Sequence, residues 1–264
     1  MPGKLSKHMK RTTLRDKLKK KYYRDKMSII SISESIRDSF DKAYEIASTA
    51  IREQIDEECK KSEIIAEKIN SITFEEDVQT SEDELRAFND FGENAYSIHL
   101  NEGALLSLSE MRVIFLFKTV ENAIKEMVEI AFPKINSRDL FRWDILVSHL
   151  RTNGVEIKSL IGYQETNKLR ITNNNIKHSL NIDSGTKSIS CFSTEEEFTY
   201  KNLESFYKSI EGPVQEFMRA LGKEIIKSAY DLSVEKLEEI TNEIVNRYDS
   251  AQIKEIISRL TSKL

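Results

Sequence analysis

The sequence contains few residues that interrupt or cross-link a chain: eight Gly, three Pro and two Cys among 264 residues. Because glycine and proline end helices and form turns, their scarcity favours long helices over a fold of many strands. Cys59 and Cys191 form no CxxC pair, so no disulfide framework is expected. We therefore expect a reducing, cytoplasmic setting. No apolar run approaches the ~20 residues needed to cross a bilayer, which predicts a protein without membrane contact.

Positive charge is concentrated at the N-terminal end of the sequence. Residues 1–26 contain eleven Lys and Arg against two Asp, a surplus of nine positive charges. Since the whole chain carries −4, residues 27–264 carry −13. A basic arm of this kind is a candidate nucleic-acid or membrane-surface contact. An RNA partner is expected, with Lys19, Lys20 and Lys21 as its contacts. The alternative is a solvated tail that docks on the acidic remainder of the chain.

The N-terminal part has the apolar spacing of a long amphipathic helix followed by a less regular segment. Apolar residues recur every three to five positions over residues 29–55, which predicts one helix that extends toward Asn70. Residues 73–103 are acidic and irregular. They predict a linker with one short helix at Glu82–Asp90.

The most apolar stretch predicts the centre of the core. Leu108–Ala131 has a wide apolar face, which predicts a buried helix that ends before Pro133. Ser137 is the predicted N-cap of the following helix, and Asn153 and Gly154 are its predicted end. The fold is therefore predicted to assemble around this apolar helix.

Four further helices and one small hairpin complete the prediction. Alternating residues in "SISCFS" after a turn at 183–185 predict a β-hairpin near 182–193. The predicted helices are Gln164–His178, Thr199–Tyr230 with a disturbance at Gly212-Pro213, Ser233–Tyr248 and Ser250–Leu264. The sequence thus predicts an all-α protein, divided into a basic arm (1–26), an N-terminal helix with an acidic linker (27–103), a helical core (104–230) and C-terminal helices (231–264).

The segment "LRITNNNIKHS", residues 169–179, contains the most suggestive group of polar residues. At about 100° per residue on a helix, Arg170, Asn174 and His178 fall on one polar stripe, and Lys177 lies beside it. Three consecutive asparagines are unusual in a segment that only has to pack, because asparagine is a mediocre helix former. The stripe is therefore a candidate site, although a solvated polar face is the alternative.

The residue types of this stripe suit a phosphodiester that has a neighbouring 2′-OH. An arginine such as Arg170 binds phosphate through two parallel hydrogen bonds. A histidine such as His178 titrates near neutral pH and acts as general acid or base. Asn174 would orient either group or a ribose hydroxyl, and Lys177 adds positive charge. Attack of the 2′-oxygen on its own phosphorus would need no metal, because Arg170 would stabilise the developing charge.

Other catalytic patterns are missing from the sequence. No His, Cys, Asp or Glu spacing matches a zinc site, and neither a P-loop nor a GxSxG motif occurs. Neither a metal nor a cofactor is therefore expected. His149 is expected to be a structural histidine. The carboxylates of the first long helix are interpreted as a solvated face, and they are Asp38, Asp41, Glu45 and Glu53.

The segment "LRITNNNIKHS", preceded by an apolar helix and "FRWDILVSHLRTNGVEIKSLIGY", resembles the HEPN superfamily, and in particular HEPN proteins of bacterial defence and abortive-infection systems. The resemblance covers roughly residues 105–230 and implies an up-and-down helical bundle. It implies that Arg170, Asn174 and His178 form the site of a metal-independent endoribonuclease, and that two protomers face each other across a cleft.

The spacing within the motif departs from the family pattern. Seven residues separate Arg170 from His178, whereas four to six are usual in the family. The position five residues before His178, where arginine often stands in the family, is Asn173. Either Arg170 reaches the same cleft from one turn further back, or the site is degenerate.

The predicted function is cleavage of RNA by a toxin-like effector of bacterial defence, acting as a homodimer in which two copies supply a second His and Arg. The alternative is a non-catalytic helical module that binds RNA or protein through the basic arm and the first long helix. A defence-system or antitoxin protein is a further possible partner.

Overall fold

The computed structural model describes residues 14–36, 39–70, 82–133, 135, 140, 142–179, 181–232 and 234–262. Within these ranges the protein is all-α, with nine helices and no strand. The helices are α1 (Leu14–Ser33), α2 (Ser39–Asn70), α3 (Glu82–Ala131), α4 (Trp143–Thr152), α5 (Tyr163–His178), α6 (Ser184–Lys187), α7 (Tyr200–Tyr230), α8 (Val234–Arg247) and α9 (Ser250–Thr261). Residues 1–13 of the predicted arm and the predicted N-cap Ser137 lie outside the described residues.

The predicted single helix over residues 29–55 is wrong, because the helix is interrupted between the end of α1 at Ser33 and the start of α2 at Ser39. The side chain of Gln215 on α7 bonds to one backbone group at the end of α1 and to another in the segment that follows it. Its Nε2 donates to the Ser33 carbonyl at 2.9 Å, and its Oε1 accepts from the Ile36 N–H at 3.1 Å. An amide from a distant helix thus replaces two hydrogen bonds that a continuous helix would have made.

The predicted linker is also wrong for residues 82–103, because α3 begins at Glu82 and continues without interruption for 50 residues. Packing against α2 stabilises this part of α3. Asn94 is buried and its Nδ2 donates to the Glu58 carbonyl at 2.7 Å and to the Ser62 hydroxyl. The acidic composition that suggested a linker instead belongs to the solvent-facing side of a helix.

The core lies between α3 and α7, as the apolar stretch predicted. Both helices bury residues spaced three or four apart, and α3 ends at Ala131, before Pro133. Helix α7 continues through Pro213, so the disturbance predicted there does not interrupt it. The buried residues are Val113, Leu116, Val120, Ile124 and Met127 on α3, and Leu203, Phe206, Ile210, Val214, Phe217, Leu221 and Ile225 on α7.

The predicted β-hairpin near 182–193 is wrong. Asp183 caps a helical turn, since its Oδ1 accepts from the Thr186 N–H at 2.7 Å, and α6 follows. The alternating "SISCFS" segment forms a 3-10 turn at Ser190–Phe192. Phe192 is fully buried there against Phe206, at 5.2 Å between ring centroids. One isolated bridge, between Asn181 and Glu197, is the β pairing in the described segment.

Gly162 sets the angle at which α5 enters the core. Its φ is 76°, a left-handed conformation that favours glycine. A Cβ at this position would lie 2.0 Å from the Pro213 carbonyl oxygen of α7. The start of α5 therefore lies directly against the middle of α7, and the ring of Tyr163 lies 6.1 Å from that of Phe217.

Candidate functional site

One side of α5 packs in the core and leaves the opposite side in solvent. Leu169 and Thr172 are fully buried, and Ile176 packs against the core cluster. Asn174 and His178 are exposed. Two members of the predicted stripe, Asn174 and His178, therefore face solvent on a regular helix, whereas Arg170 is half-buried.

The last asparagine of the triplet holds the chain that follows the helix. Asn175 is buried; its Nδ2 donates to the Asn181 carbonyl at 2.9 Å, and its Oδ1 accepts from the Asp183 N–H at 2.9 Å. Both ends of one side-chain amide are thus used to fix the exit from α5. Asn175 accordingly has a structural role.

The first asparagine of the triplet supports the second. Asn173 is buried, and its Nδ2 donates to Asn174 Oδ1 at 3.2 Å. This bond leaves the Nδ2 group of the exposed Asn174 available to donate to a ligand. Because position 173 is buried, an arginine there would not face solvent.

Arg170 is half-buried and turned toward the start of the helix. Its Nε and one terminal nitrogen donate to Asn167 Oδ1 at 3.1 and 3.0 Å. Arg170 and His178 are eight residues apart, which corresponds to about 12 Å along the helix axis. The structure therefore does not bring the Arg170 guanidinium to the imidazole of His178 within one chain.

Lys177 is exposed next to His178 at the C-terminal end of α5. This end lies near the N-terminus of α7, because the Ile182 N–H donates to the Glu196 carbonyl at 2.9 Å, shortly before α7 begins. Asn174, Lys177 and His178 thus form an exposed donor-rich surface at one end of the α5–α7 pair. We call these three residues the α5 surface.

The three predicted arm lysines, Lys19, Lys20 and Lys21, are exposed on α1 but lie far from the α5 surface. The ring of the neighbouring Tyr22 lies 6.1 Å from that of Tyr230. The three lysines therefore lie beside the C-terminus of α7. The 31 residues of α7 correspond to about 45 Å. The structure therefore separates the two groups of predicted RNA-binding residues within one chain.

A second polar cluster, which the sequence interpretation missed, joins α2, α3 and α7. Arg112 lies between two tyrosine rings, at 4.3 Å from the Tyr44 centroid and 3.8 Å from the Tyr207 centroid. Its Nε pairs with Asp41 at 3.3 Å, and the Tyr207 hydroxyl donates to the same Asp41 oxygen at 2.7 Å. Asp41, interpreted as part of a solvated face, is therefore largely buried in an ion pair.

The tyrosines of this cluster are held in their neutral form. Burial raises the pKa of Tyr207, and the hydrogen bond to Asp41 raises that pKa further. Burial, with the hydrogen bond to Glu204, also raises the pKa of Tyr44. We assign the cluster a structural role, because it connects three helices. An arginine in the most apolar stretch of the sequence was the signal for it.

His149 has the contacts of a structural histidine. Its ring lies edge-on to Phe132 at 5.6 Å between centroids, and Asn153 Nδ2 lies 3.2 Å from its Nε2. Burial lowers the pKa of His149, which favours the neutral ring. His149 therefore offers no exposed acid or base near α5.

Within the described ranges, no three His, Cys, Asp or Glu side chains lie close enough to hold a metal ion. None of the described helices is long and apolar enough to cross a membrane. Comparison of the chain with protein-family models, with curated proteins and with solved structures gives no match.

Proposed function

We propose that this protein is a metal-independent endoribonuclease of the HEPN type that acts as a toxin-like effector in bacterial defence. The observation that carries the proposal is the outward-facing α5 surface. A base (His178), an amide donor (Asn174) and a cation (Lys177) lie together in solvent at the end of a helix anchored in the core.

In the proposed reaction, His178 removes the proton of a ribose 2′-OH. The 2′-oxygen then bonds to the adjacent phosphorus while the bond from phosphorus to the 5′-oxygen breaks. The leaving 5′-oxygen takes a proton from water, and the products are a 2′,3′-cyclic phosphate and a 5′-hydroxyl. Asn174 Nδ2 and Lys177 donate to the phosphate oxygens, whose charge grows in the transition state.

The distance between Arg170 and His178 within one chain favours a site shared by two copies. Asn174 is midway between these two residues in the sequence, four positions from each. If two α5 helices pack antiparallel about a two-fold axis at Asn174, Arg170 of one copy lies opposite His178 of the other. The second copy then supplies the phosphate-binding guanidinium of its Arg170. Within one chain, Arg170 lies about 12 Å from His178 along the helix axis.

The test is cleavage of an RNA oligonucleotide in the presence of EDTA. We expect the native chain to cleave it and His178→Ala to reduce the rate at least 100-fold, since general acid–base catalysis contributes about 10²–10⁴. His99→Ala is the matched control, because His99 is an exposed histidine on α3. It should cleave like the native chain, and a 2′-O-methylated oligonucleotide should remain intact. Equal cleavage by His178→Ala and His99→Ala would exclude the assignment.

A non-catalytic RNA- or protein-binding module is the second candidate, favoured by the distance between the basic helix α1 and the α5 surface. On this account, replacing Lys19, Lys20 and Lys21 together by alanine would abolish RNA binding. In the native chain, these three lysines should account for about two to three of the slope of log K against log salt concentration. His178→Ala would change neither. The absence of any EDTA-resistant cleavage together with this pattern would support the second candidate over the first.

A further inference from the structure

Helices α8 and α9 and the two residues between them, here called the C-terminal hairpin, have no fully buried side chain among their described residues. The hairpin is nevertheless well formed. Asp249 caps α9 by accepting from the N–H groups of Ala251 and Gln252 at 2.9 Å each, and Gln252 accepts from the Asp249 N–H. Since helices of 14 and 12 residues are marginal in isolation, this hairpin needs packing from elsewhere.

Each helix of the hairpin has an apolar face of its own. At about 100° per residue, Leu237 and Ile244 of α8 and Tyr248, which directly follows α8, point within about 40° of one another around the helix axis. Ile253 and Leu260 share a face of α9 in the same way. Eight large side chains in and next to the hairpin are exposed, and they are Leu232, Val234, Leu237, Ile240, Val245, Tyr248, Ile257 and Leu260.

We propose that this face packs against the same face of a second copy, so that two hairpins form a four-helix bundle. With eight large side chains, each about half exposed, the face offers on the order of 700 Å² per copy, close to the ~800 Å² per partner of a standard interface. A two-fold contact needs a surface that is complementary to itself, and the apolar face of an amphipathic helix that packs against its own copy provides one.

The charges of the two helices favour the same partner. Helix α8 carries four Glu against one Lys and one Arg, whereas α9 carries one Glu against one Lys and one Arg. Two-fold packing of α8 on α9 of the other copy therefore brings a net negative helix against a net positive one. An anionic membrane surface fits less well, because membrane-surface helices have a polar face rich in Lys and Arg.

The contact is separate from the α5 surface. The hairpin follows the C-terminus of α7, next to the end where Lys26 pairs with Asp231 at 3.1 Å, whereas His178 lies toward the N-terminus of α7. The inference therefore does not depend on RNA cleavage, and failure of the nuclease proposal would leave it standing.

The test is the molar mass of the full-length chain in solution without RNA, measured by light scattering during size-exclusion chromatography. We expect the native chain to have at least twice its monomer mass of 30.6 kDa. Leu237→Glu should lower the mass to half or less of the native value, because a charge would enter the apolar contact. The side chain of Leu237 is 51% exposed in the monomer, so its replacement should not unfold the chain.

Ile64→Glu is the matched control, because Ile64 is 67% exposed on α2. This variant should keep the native mass and the native helix content. By circular dichroism, Leu237→Glu should lose no more helix than the 26 residues of α8 and α9 supply, which shows that the rest of the chain stays folded. A monomeric native chain would overturn the inference. So would an equal mass for Leu237→Glu and the native chain.

Discussion

At the scale of single residues, Asn173, Asn174 and Asn175 are consecutive in the sequence but have different surroundings. Asn175 is buried and bonds to two backbone groups, Asn173 is buried and supports its neighbour, and Asn174 is exposed. The helical period alone determines which of them faces solvent. The structural and the proposed catalytic roles of this triplet should therefore separate by mutation.

We expect Asn175→Ala to reduce the free energy of unfolding by about 1–3 kcal/mol, because it leaves the Asp183 N–H and the Asn181 carbonyl without their partner. Asn174→Ala is its control and should reduce this free energy by less, about 1 kcal/mol at most, because it removes a single hydrogen bond, the one from Asn173 Nδ2. Urea unfolding measures both. RNA cleavage should show the reverse order, with the larger loss in Asn174→Ala. Equal destabilisation by the two variants would contradict this separation.

Tyr207 gives the structure a measurable pH dependence. Its raised pKa means that the folded state holds the phenol proton more tightly than the unfolded chain, whose tyrosines titrate near pH 10. The contribution of Tyr207 to stability is thus complete below that pH and is lost as the pH rises above it. We expect the melting temperature of the native chain to fall more steeply between pH 9 and pH 11 than that of Tyr207→Phe. Parallel curves for the two proteins would contradict the raised pKa of Tyr207, which burial and the hydrogen bond to Asp41 cause together.

At the scale of helices, the sequence predicted best where one apolar pattern coincided with one element. The end of the central helix, α5 and the last three helices lie close to their predicted positions, because apolar residues recur at helical spacing there. The break between α1 and α2 was not predictable, because the side chain that stabilises it, Gln215, lies 179 positions along the chain from Ile36. The predicted β-hairpin near 182–193 was wrong because an aspartate such as Asp183, which favours a turn, also favours a helix N-cap.

The same holds for the candidate site. Helical periodicity predicted that Arg170, Asn174 and His178 share a side of α5. It did not predict that Arg170 would turn toward Asn167, or that Lys19, Lys20 and Lys21 would lie at the other end of α7. Both facts depend on contacts between residues distant in the sequence or on the choice of a side-chain rotamer.

The position of α5 depends on Gly162. We expect Gly162→Ala to destabilise the fold by more than about 3 kcal/mol, because its Cβ would overlap the Pro213 carbonyl and its φ of 76° disfavours alanine. Gly154→Ala is the control: its φ is 77°, but a Cβ there meets no atom within 4 Å. It should lose about 1 kcal/mol, the cost of the backbone conformation alone. Thermal unfolding distinguishes the two, and similar losses would show that contact with α7 is unimportant.

At the scale of the whole molecule, the surfaces proposed to bind RNA or a second copy lie at opposite ends of α7. The basic helix α1 and the C-terminal hairpin lie near its C-terminus, and the α5 surface lies near its N-terminus. An RNA held by α1 and cut at α5 of the same chain would have to extend over about 45 Å. A site shared by two copies leaves this distance between α1 and α5 of one chain unchanged. It does supply an arginine from the second copy, because Arg170 of the same chain lies away from His178.

The measurement that tests this account most directly is RNA cleavage by an equal mixture of Arg170→Ala and His178→Ala chains. Before the assay, the two variants are allowed to exchange subunits so that mixed pairs form. If Arg170 of one copy acts with His178 of another, half of the randomly formed pairs are mixed, and each mixed pair keeps one intact site of two. We therefore predict that each variant alone is inactive and that the mixture recovers about a quarter of native activity. A mixture as inactive as its two components would contradict the shared site.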